Sequence, residues 1–195
     1  MKARGAAVFL DRDGTLNEDP GFLSDPSLVR LFDGVPAALK LLRGLGFSLV
    51  VVSNQSGIGR GYFTAEVLET VNRRIFELAG DTPDRFFFCP HHPEEAQGTY
   101  RRSCRCRKPG TGMVARGIRE LKLDADSSYM VGDSGADVAC GQAAGLTTVL
   151  VQTGRGLETL ELIRSGQLAP PHHVARDLAG AAEWIASQLE RIRRG

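Results

Sequence analysis

Five short apolar runs stand out along the chain. They are AAVFL (6–10), FSLVVVS (47–53), RFFFC (85–89), SYMVG (128–132) and TTVLVQ (147–152). None shows the apolar–polar alternation of a strand with one face in solvent, so both faces of each run are expected to be buried. This pattern is typical of strands in a parallel sheet that helices cover on both sides.

Segments with helical spacing of apolar residues separate these runs. The predicted helices span 35–45, 64–78, 112–121, 136–144 and 177–193. Thr64 is suited to be the N-cap of the second helix. The segment 157–173 is different, because it is polar and contains Pro170 and Pro171. It is expected to form an exposed connection.

The alternation of strands and helices predicts the fold class. It favours a single doubly wound, Rossmann-like α/β domain over residues 1–195, with a central parallel sheet. A chain of 195 residues is long enough to bury one sizeable core. The sequence contains no internal repeat and no low-complexity linker that would divide it.

Composition narrows the possible partners. Hydrophobic residues make up 42% and charged residues 24% of the chain, as in ordinary globular proteins. The formal net charge is +1, so no overall field attracts nucleic acid or an anionic membrane. The N-terminal MKARGAAVFLDRDG lacks the apolar segment and cleavage site of a signal peptide, and no run approaches the roughly 18 residues of a membrane-spanning helix. We expect a cytoplasmic protein with neither nucleic acid nor membrane as partner.

Polar motifs follow four of the five apolar runs. They are DRDGT (11–15), SNQSG (53–57), the loop 89–109 and GDSGAD (132–137). In a doubly wound sheet, ligands bind beyond the carboxyl ends of the strands, so these motifs are expected to meet. Asp11 and Asp13 project to the same side and repel unless a cation or a shared proton neutralises them. An isolated DxDG is more often a turn, but its place directly after AVFL favours a functional site.

The loop after the third run contains three of the four cysteines and two of the four histidines. Cys89-x-His91 and Cys104-x-Cys106 form two short pairs separated by 12 residues. Three cysteines and one histidine suit a closed tetrahedral structural zinc site, whereas a catalytic zinc keeps one position open. His92 competes with His91, and unrelated reduced cysteines are the alternative to a metal site. Cys140 is interpreted as a small buried helix residue.

Four motifs together carry a resemblance to a known family. FLDRDGTLN, VVSNQSGIGRGYF, CRCRKPGTGM and VGDSGADV resemble the haloacid dehalogenase superfamily of aspartate-nucleophile phosphatases. Within it they are most similar to the bacterial D-glycero-D-manno-heptose 1,7-bisphosphate phosphatases. The resemblance covers residues 7–153, with the motifs in family order. It implies a domain without a separate cap, because no large insertion follows either of the first two motifs.

The resemblance assigns roles to the acidic residues. Asp11 would be the nucleophile that forms an aspartyl-phosphate, and Asp13 the general acid and then the general base. A catalytic Mg²⁺ would be bound by Asp11, the backbone carbonyl of Asp13 and Asp133. Asp137 would support the metal shell.

The resemblance also assigns two other polar residues. Ser53 would hydrogen-bond the transferring phosphoryl group, and Lys108 would offset its negative charge. Arg107 is a separate inference: its bidentate guanidinium could hold a second phosphate of the substrate. The family loop selects His91 over His92, which gives a structural zinc ligand set of Cys89, His91, Cys104 and Cys106. The zinc loop 89–106 would then hold Arg107 and Lys108 over the crevice.

Further substrate contacts are implied in three places. They are Asp19, Pro20, Gly21 and Phe22 after the first strand, Asn54, Gln55 and Ser56 after the second, and Ser134 after the fourth. A plain turn explains the DPG of residues 19–21 equally well. Ser134 stands where some relatives carry a lysine, which leaves its contact open.

The implied enzyme is a monomeric, Mg²⁺-dependent phosphatase acting on a small sugar bisphosphate. It would remove the 7-phosphate and leave heptose 1-phosphate, a precursor of lipopolysaccharide core or other heptose-containing glycans. Histidinol-phosphate phosphatases share DRDGT and a similar zinc loop, but SNQSGIGRGYF favours the heptose enzymes. The balanced charge argues against a nucleic-acid 3′-phosphatase. A non-enzymatic zinc-bearing binding module would have no need of Asp11, Asp13, Lys108 and Asp133 together.

Overall fold

Six strands form the centre of the molecule. The computed structural model describes residues 5–194. Residues 1–4, which belong to the N-terminal segment considered above for a signal peptide, and Gly195 lie outside the described residues. The strands are β1 (Ala7–Leu10), β2 (Ser48–Asn54), β3 (Arg85–Cys89), β4 (Tyr129–Gly132), β5 (Thr147–Val151) and β6 (His173–Ala175). The first five coincide with the predicted apolar runs to within one residue at each end.

The helices are α1 (Val35–Gly44), α2 (Ser56–Gly59), α3 (Ala65–Ala79), α4 (Gly112–Leu121), α5 (Gly135–Ala143), α6 (Gly156–Arg164) and α7 (Leu178–Arg194). Five of them were predicted, with bounds that agree to within one residue. The hydroxyl of Thr64 accepts a hydrogen bond from the amide of Val67, which confirms the predicted N-cap of α3. None of the described helices combines the length and apolar character needed to cross a bilayer.

The strands form one parallel sheet in the order β3-β2-β1-β4-β5-β6. The chain moves outward from β1 to β3, then returns to pair β4 with the other side of β1. This reversal places the topological switch point between β1 and β4, where open α/β sheets bind their ligands. Asp11 follows β1 and Asp133 follows β4, so both lie at that point.

Helices cover both faces of the sheet at β1, as the absence of alternation predicted. The prediction is wrong for β3, where Phe88 is 36% exposed because β3 lies at the edge of the sheet. Val8 and Leu10 of β1 belong to a buried cluster with residues of α1 and α7. Ala7 and Phe9 belong to a second cluster, on the opposite face, with residues of α4 and α5. Each large apolar side chain buried in this way contributes roughly 1.5–3 kcal/mol to folding. The two clusters together fix the strand ends that carry the polar motifs.

The prediction of an exposed connection over 157–173 is wrong. The helix α6 occupies most of the first half, and β6 begins at His173. The buried positions of α6 are Gly156 and Thr159, while its leucines are half-buried or exposed, so its sequence lacks a strong apolar stripe. A three-residue edge strand likewise leaves little signal. Only the segment between them, 165–172, is irregular.

Candidate active site and zinc-binding cluster

A cavity of about 640 Å³ opens at the carboxyl ends of the central strands. Nine predicted site residues line it: Asp11, Asp13, Asp19, Ser53, Asn54, Arg107, Lys108, Asp133 and Ser134. A smaller cavity of about 120 Å³ shares Asp13, Asp19 and Asn54 with it and is also lined by Gly21, Phe22, Gln55 and Ser56. Pro20 lines neither cavity. Motifs that are distant in sequence therefore meet in one place.

A buried lysine joins two carboxylates at the floor of the larger cavity. The Nζ atom of Lys108 lies 2.7 Å from Oδ1 of Asp11 and 2.6 Å from Oδ1 of Asp137, and it donates to the carbonyl oxygen of Val52 at 2.8 Å. Burial alone would lower the pKa of Lys108, but Asp11 and Asp137 raise it above its ordinary value. The lysine therefore stays charged in the protein interior.

Three carboxylates surround a space suited to a divalent cation. One oxygen from each of Asp11, Asp133 and Asp137 lies within 4.8 Å of the others, and all three residues are buried. Burial, followed by the charge of Asp137, raises the pKa of Asp11 well above its ordinary value and that of Asp133 to about 6. Oxygen ligands are those that Mg²⁺ prefers, and a cation would offset this crowding of negative charge. The donor set therefore fits Mg²⁺.

Two glycines let the backbone close around Asp133. A Cβ atom on Gly14 or Gly154 would lie 2.0 or 2.2 Å from Oδ2 of Asp133, and both glycines have positive φ, at 83° and 55°. The amide of Arg155 donates to the same oxygen at 2.8 Å, and the hydroxyl of Thr159 donates to the backbone carbonyl of Asp133 at 3.0 Å. The loop after β5 thus fixes the carboxylate, although sequence reasoning assigned nothing to that loop.

Asp13 accepts hydrogen bonds on both carboxylate oxygens. The guanidinium of Arg12 donates from Nε to Oδ1 at 2.9 Å and from Nη2 to Oδ2 at 2.7 Å. Asn17 Nδ2 donates to Oδ1 at 2.9 Å, and Gln55 Nε2 donates to Oδ2 at 2.7 Å. Gln55 Nε2 also lies 2.8 Å from the hydroxyl oxygen of Ser53. Gln55, from the motif after β2, therefore helps to hold the carboxylate of Asp13, from the motif after β1.

Asn54 forms a two-point contact with the backbone of Lys108. Its Nδ2 donates to the Lys108 carbonyl at 3.1 Å, and its Oδ1 accepts from the Lys108 amide at 3.0 Å. This side chain, at the end of β2, therefore fixes the backbone from which the buried ammonium projects. The contact adds to the role that the resemblance implied for Asn54.

The four residues of the predicted zinc site lie together at the base of the loop. One ligand atom from each of Cys89, His91, Cys104 and Cys106 lies within 4.8 Å of the others. All three cysteines are free thiols, and His91 presents Nδ1 to them. Burial, followed by the nearby Arg102 guanidinium, lowers the pKa of His91, which favours the neutral imidazole that a metal requires. The set fits a tetrahedral metal ion.

His92 lies outside this cluster. Its Nδ1 accepts hydrogen bonds from the amides of Glu94 and Glu95, and its Nε2 lies 3.2 Å from the Glu95 carboxylate. Glu95 in turn pairs with Arg60. His92 therefore orders the loop locally, and Glu95 connects the loop to Arg60 in the segment that follows β2. Arg107 donates to the carbonyl of His91 at 3.3 Å, which connects the cluster to the cavity wall.

Ser134 caps α5. Its hydroxyl accepts from the Asp137 amide at 3.3 Å, and the Asp137 carboxylate accepts from the Ser134 amide at 3.0 Å, which forms a capping box. Ser134 also lines the cavity, so this geometry accounts for its residue type without requiring a substrate contact. The same box holds Asp137 in place to pair with Lys108.

Sequence reasoning missed Arg12, which lines the smaller cavity, and Asn72, which contacts Arg12. Arg12 is 1% exposed, and its Nη1 donates to Oδ1 of Asn72 on α3 at 2.9 Å. Asn72 is 6% exposed and occupies an inward position of an otherwise apolar stripe. A polar residue within such a stripe was the available signal, since buried amides require hydrogen-bond partners.

Known proteins share this fold and these motifs. A family model for haloacid-dehalogenase-like (HAD-like) hydrolases matches residues 105–181. The D-glycero-beta-D-manno-heptose-1,7-bisphosphate 7-phosphatase of Escherichia coli K12 is 42% identical over 187 residues, covering 94% of this chain and 89% of its own. The corresponding protein of Haemophilus ducreyi is 44% identical over 156 residues, covering 77% and 85%.

Solved structures agree with the sequence comparison. A D,D-heptose 1,7-bisphosphate phosphatase from B. bronchiseptica, complexed with magnesium and phosphate, has a TM-score of 0.82 and 32% identity. The match covers 94% of this chain and 99% of that chain. Since the curated relatives exceed 40% identity over most of their own length, the chain belongs to the family of D-glycero-D-manno-heptose 1,7-bisphosphate 7-phosphatases within the HAD-like hydrolases.

Proposed function

We propose that this protein removes the 7-phosphate of D-glycero-D-manno-heptose 1,7-bisphosphate and leaves heptose 1-phosphate. The observation that carries the proposal is the pairing of Asp11 with a buried, charged lysine at the switch point of the sheet. The relatives named above support the choice of substrate. Their names specify the β anomer for the curated proteins, and we propose the same anomer here.

Asp11 is the nucleophile in this proposal. Its Oδ1 accepts from the Arg12 amide at 2.8 Å and contacts Lys108, while no described residue donates a hydrogen bond to Oδ2. Oδ2 would therefore attack phosphorus as the bond from phosphorus to the sugar oxygen breaks, which forms an aspartyl-phosphate. Lys108 and the hydroxyl of Ser53 would offset the negative charge that develops on the phosphoryl oxygens.

Asp13 would transfer the protons. It borders both cavities, so one of its oxygens can reach the leaving group once a hydrogen bond to it is released. In its protonated form it would donate a proton to the departing sugar oxygen, and the resulting carboxylate would then accept a proton from the water that attacks the aspartyl-phosphate. The second step releases inorganic phosphate and restores the carboxylate of Asp11, so that atoms and charges balance over the cycle.

The cofactors follow from the two clusters. Asp11, Asp133 and the backbone carbonyl of Asp13 would hold Mg²⁺, with Asp137 in support. When bound, Mg²⁺ supplies positive charge that stabilises the transferring phosphoryl group. Zn²⁺ would be held by the Cys89 cluster with four protein ligands, which leaves no open position and makes its role structural.

The wall of the cavity supports a substrate with two anions. Lys108 lies at the floor, beside Asp11, whereas the half-buried Arg107 lines the wall. Because the two cations occupy different parts of the lining, one would serve the transferred phosphate and the other the phosphate that remains. The larger cavity is in the range of volumes that hold small molecules.

Phosphate release from three substrates tests this function. The α and β anomers of heptose 1,7-bisphosphate and histidinol phosphate should be compared by kcat/KM, with ³¹P NMR to identify the product. We expect the β anomer to be preferred and the anomeric phosphate to remain. A higher kcat/KM for histidinol phosphate, or release of the anomeric phosphate, would refute the assignment.

Other aspects of the proposal concern the setting of the enzyme. We propose that residues 1–195 act as one catalytic unit, since the described part of a single chain supplies every residue used above. A monomeric state, a cytoplasmic location and supply of lipopolysaccharide or another heptose glycan remain predictions.

A further inference from the structure

A buried polar contact connects α3 to the carboxylate that transfers protons. Arg12 is among the most buried large side chains of the described chain, and its guanidinium uses Nε and Nη2 for Asp13 and Nη1 for Asn72. A buried charge is expensive unless it is paired and fully hydrogen-bonded. Asn72 supplies the acceptor for Nη1 of Arg12, which is not bonded to Asp13.

Packing alone does not explain an asparagine at this position. Leu68, Val71 and Ile75, the neighbouring inward positions of α3, are apolar and at most 1% exposed. Asn72 lines neither active-site cavity, and its side chain forms one hydrogen bond with the described residues, to Arg12. A leucine of similar size would fill the space but could not accept the hydrogen bond from Arg12.

We propose that Asn72 is a positioning residue for proton transfer. It fixes the plane of the Arg12 guanidinium, and the fork of that guanidinium fixes the carboxylate of Asp13 through two parallel hydrogen bonds. Asp13 must free one oxygen to donate a proton to the leaving group. A fixed guanidinium gives that movement a defined starting point, whereas a loose one lets Asp13 occupy other orientations. The inference rests on the proposed function of Asp13.

The dependence on the leaving group tests this role. A sugar phosphate has an alkoxide leaving group that needs a proton, whereas p-nitrophenyl phosphate releases a stable phenolate that needs none. General acid catalysis contributes about 10²- to 10⁴-fold, so partial misplacement of Asp13 in Asn72→Leu should lower single-turnover cleavage of the sugar phosphate about tenfold. KM and the first-turnover release of p-nitrophenolate should change less than about twofold.

Two further variants separate positioning from packing. Asn72→Asp keeps an acceptor oxygen for Arg12 and should restore most of the sugar phosphate rate. Ile75→Val alters the same apolar stripe without touching Arg12 and should leave the ratio of the two rates unchanged. Equal losses on both substrates in Asn72→Leu, no loss on either, or failure of Asn72→Asp to restore the rate would overturn the proposal.

Failure of the proposed substrate would be distinguishable from failure of this inference. If the wild type does not cleave heptose 1,7-bisphosphate, the proposed function falls. The leaving-group comparison can then use any alkyl phosphate that the wild type cleaves, such as a hexose 6-phosphate, because it concerns Asp13 and not the sugar.

Discussion

Removing the guanidinium of Arg107 should separate bisphosphates from monophosphates. Arg107 is half-buried and lines the cavity wall, and it uses one N–H to contact the carbonyl of His91. The rest of its fork is available for a second phosphate. A charge-assisted hydrogen bond is worth about 1.5–3 kcal/mol, so Arg107→Ala should lower kcat/KM for the bisphosphate about 10- to 150-fold. Partial solvent exposure favours the lower end of this range.

The assay compares the same variant on two classes of substrate. Phosphate release from heptose 1,7-bisphosphate should show the loss, whereas a monophosphate such as histidinol phosphate should be cleaved with nearly unchanged kcat/KM. Arg107→Lys is the matched control, because it keeps the charge and loses the planar fork, and it should fall between the wild type and Arg107→Ala. Equal losses on both substrates would refute the role of Arg107 as the reader of the second phosphate.

Three other outcomes follow from the site. Asp11→Asn should abolish turnover while the circular dichroism spectrum stays native, because an amide cannot act as the nucleophile; substantial activity, with deamidation excluded, would contradict the assignment. Elemental analysis should find about one zinc per chain, lost in Cys104→Ser/Cys106→Ser; full zinc content in that variant would exclude the ligand set. Ser134→Ala should cost about 1 kcal/mol in chemical denaturation, as loss of an N-cap does, with KM unchanged; a raised KM with native stability would instead identify a substrate contact.

The sequence was sufficient to predict five of the six strands and the side of the larger cavity that the motifs after β1, β2, β3 and β4 form. Strands buried on both faces read as continuous apolar runs, and parallel order brings the residues after them to one edge. That is why Asp11, Ser53, Lys108 and Asp133 could be placed together without coordinates. The two short Cys/His pairs were also sufficient to predict that Cys89, His91, Cys104 and Cys106 lie together, because the spacing within each pair is visible without knowledge of the fold.

Contacts made through the backbone or through buried amides were beyond sequence reasoning. The loop after β5 holds Asp133 by the amide of Arg155, which any residue except proline would supply, and by the absence of a side chain at Gly154. A single glycine in a loop does not by itself indicate such a close approach. Asn72 and Arg12 are 60 positions apart, so their contact depends on where α3 lies in the folded domain. The helix α6 was missed because its inward face is small and only partly apolar.

The two residues that bound the segment 90–107 are both attached to the sheet. One end is Cys89, the last residue of β3, and the other is Lys108, which Asn54 fixes to the end of β2. The segment between them leaves the sheet at the end of β3 and returns beside the end of the neighbouring strand β2. Loops of other lengths, with or without metal ligands, could therefore connect the same two points in a redesigned protein, provided that Asn54 keeps its contact with the backbone of Lys108. In such proteins the substrate-contacting residues and the metal ligands of the loop would vary, whereas the Lys108 ammonium would stay beside Asp11.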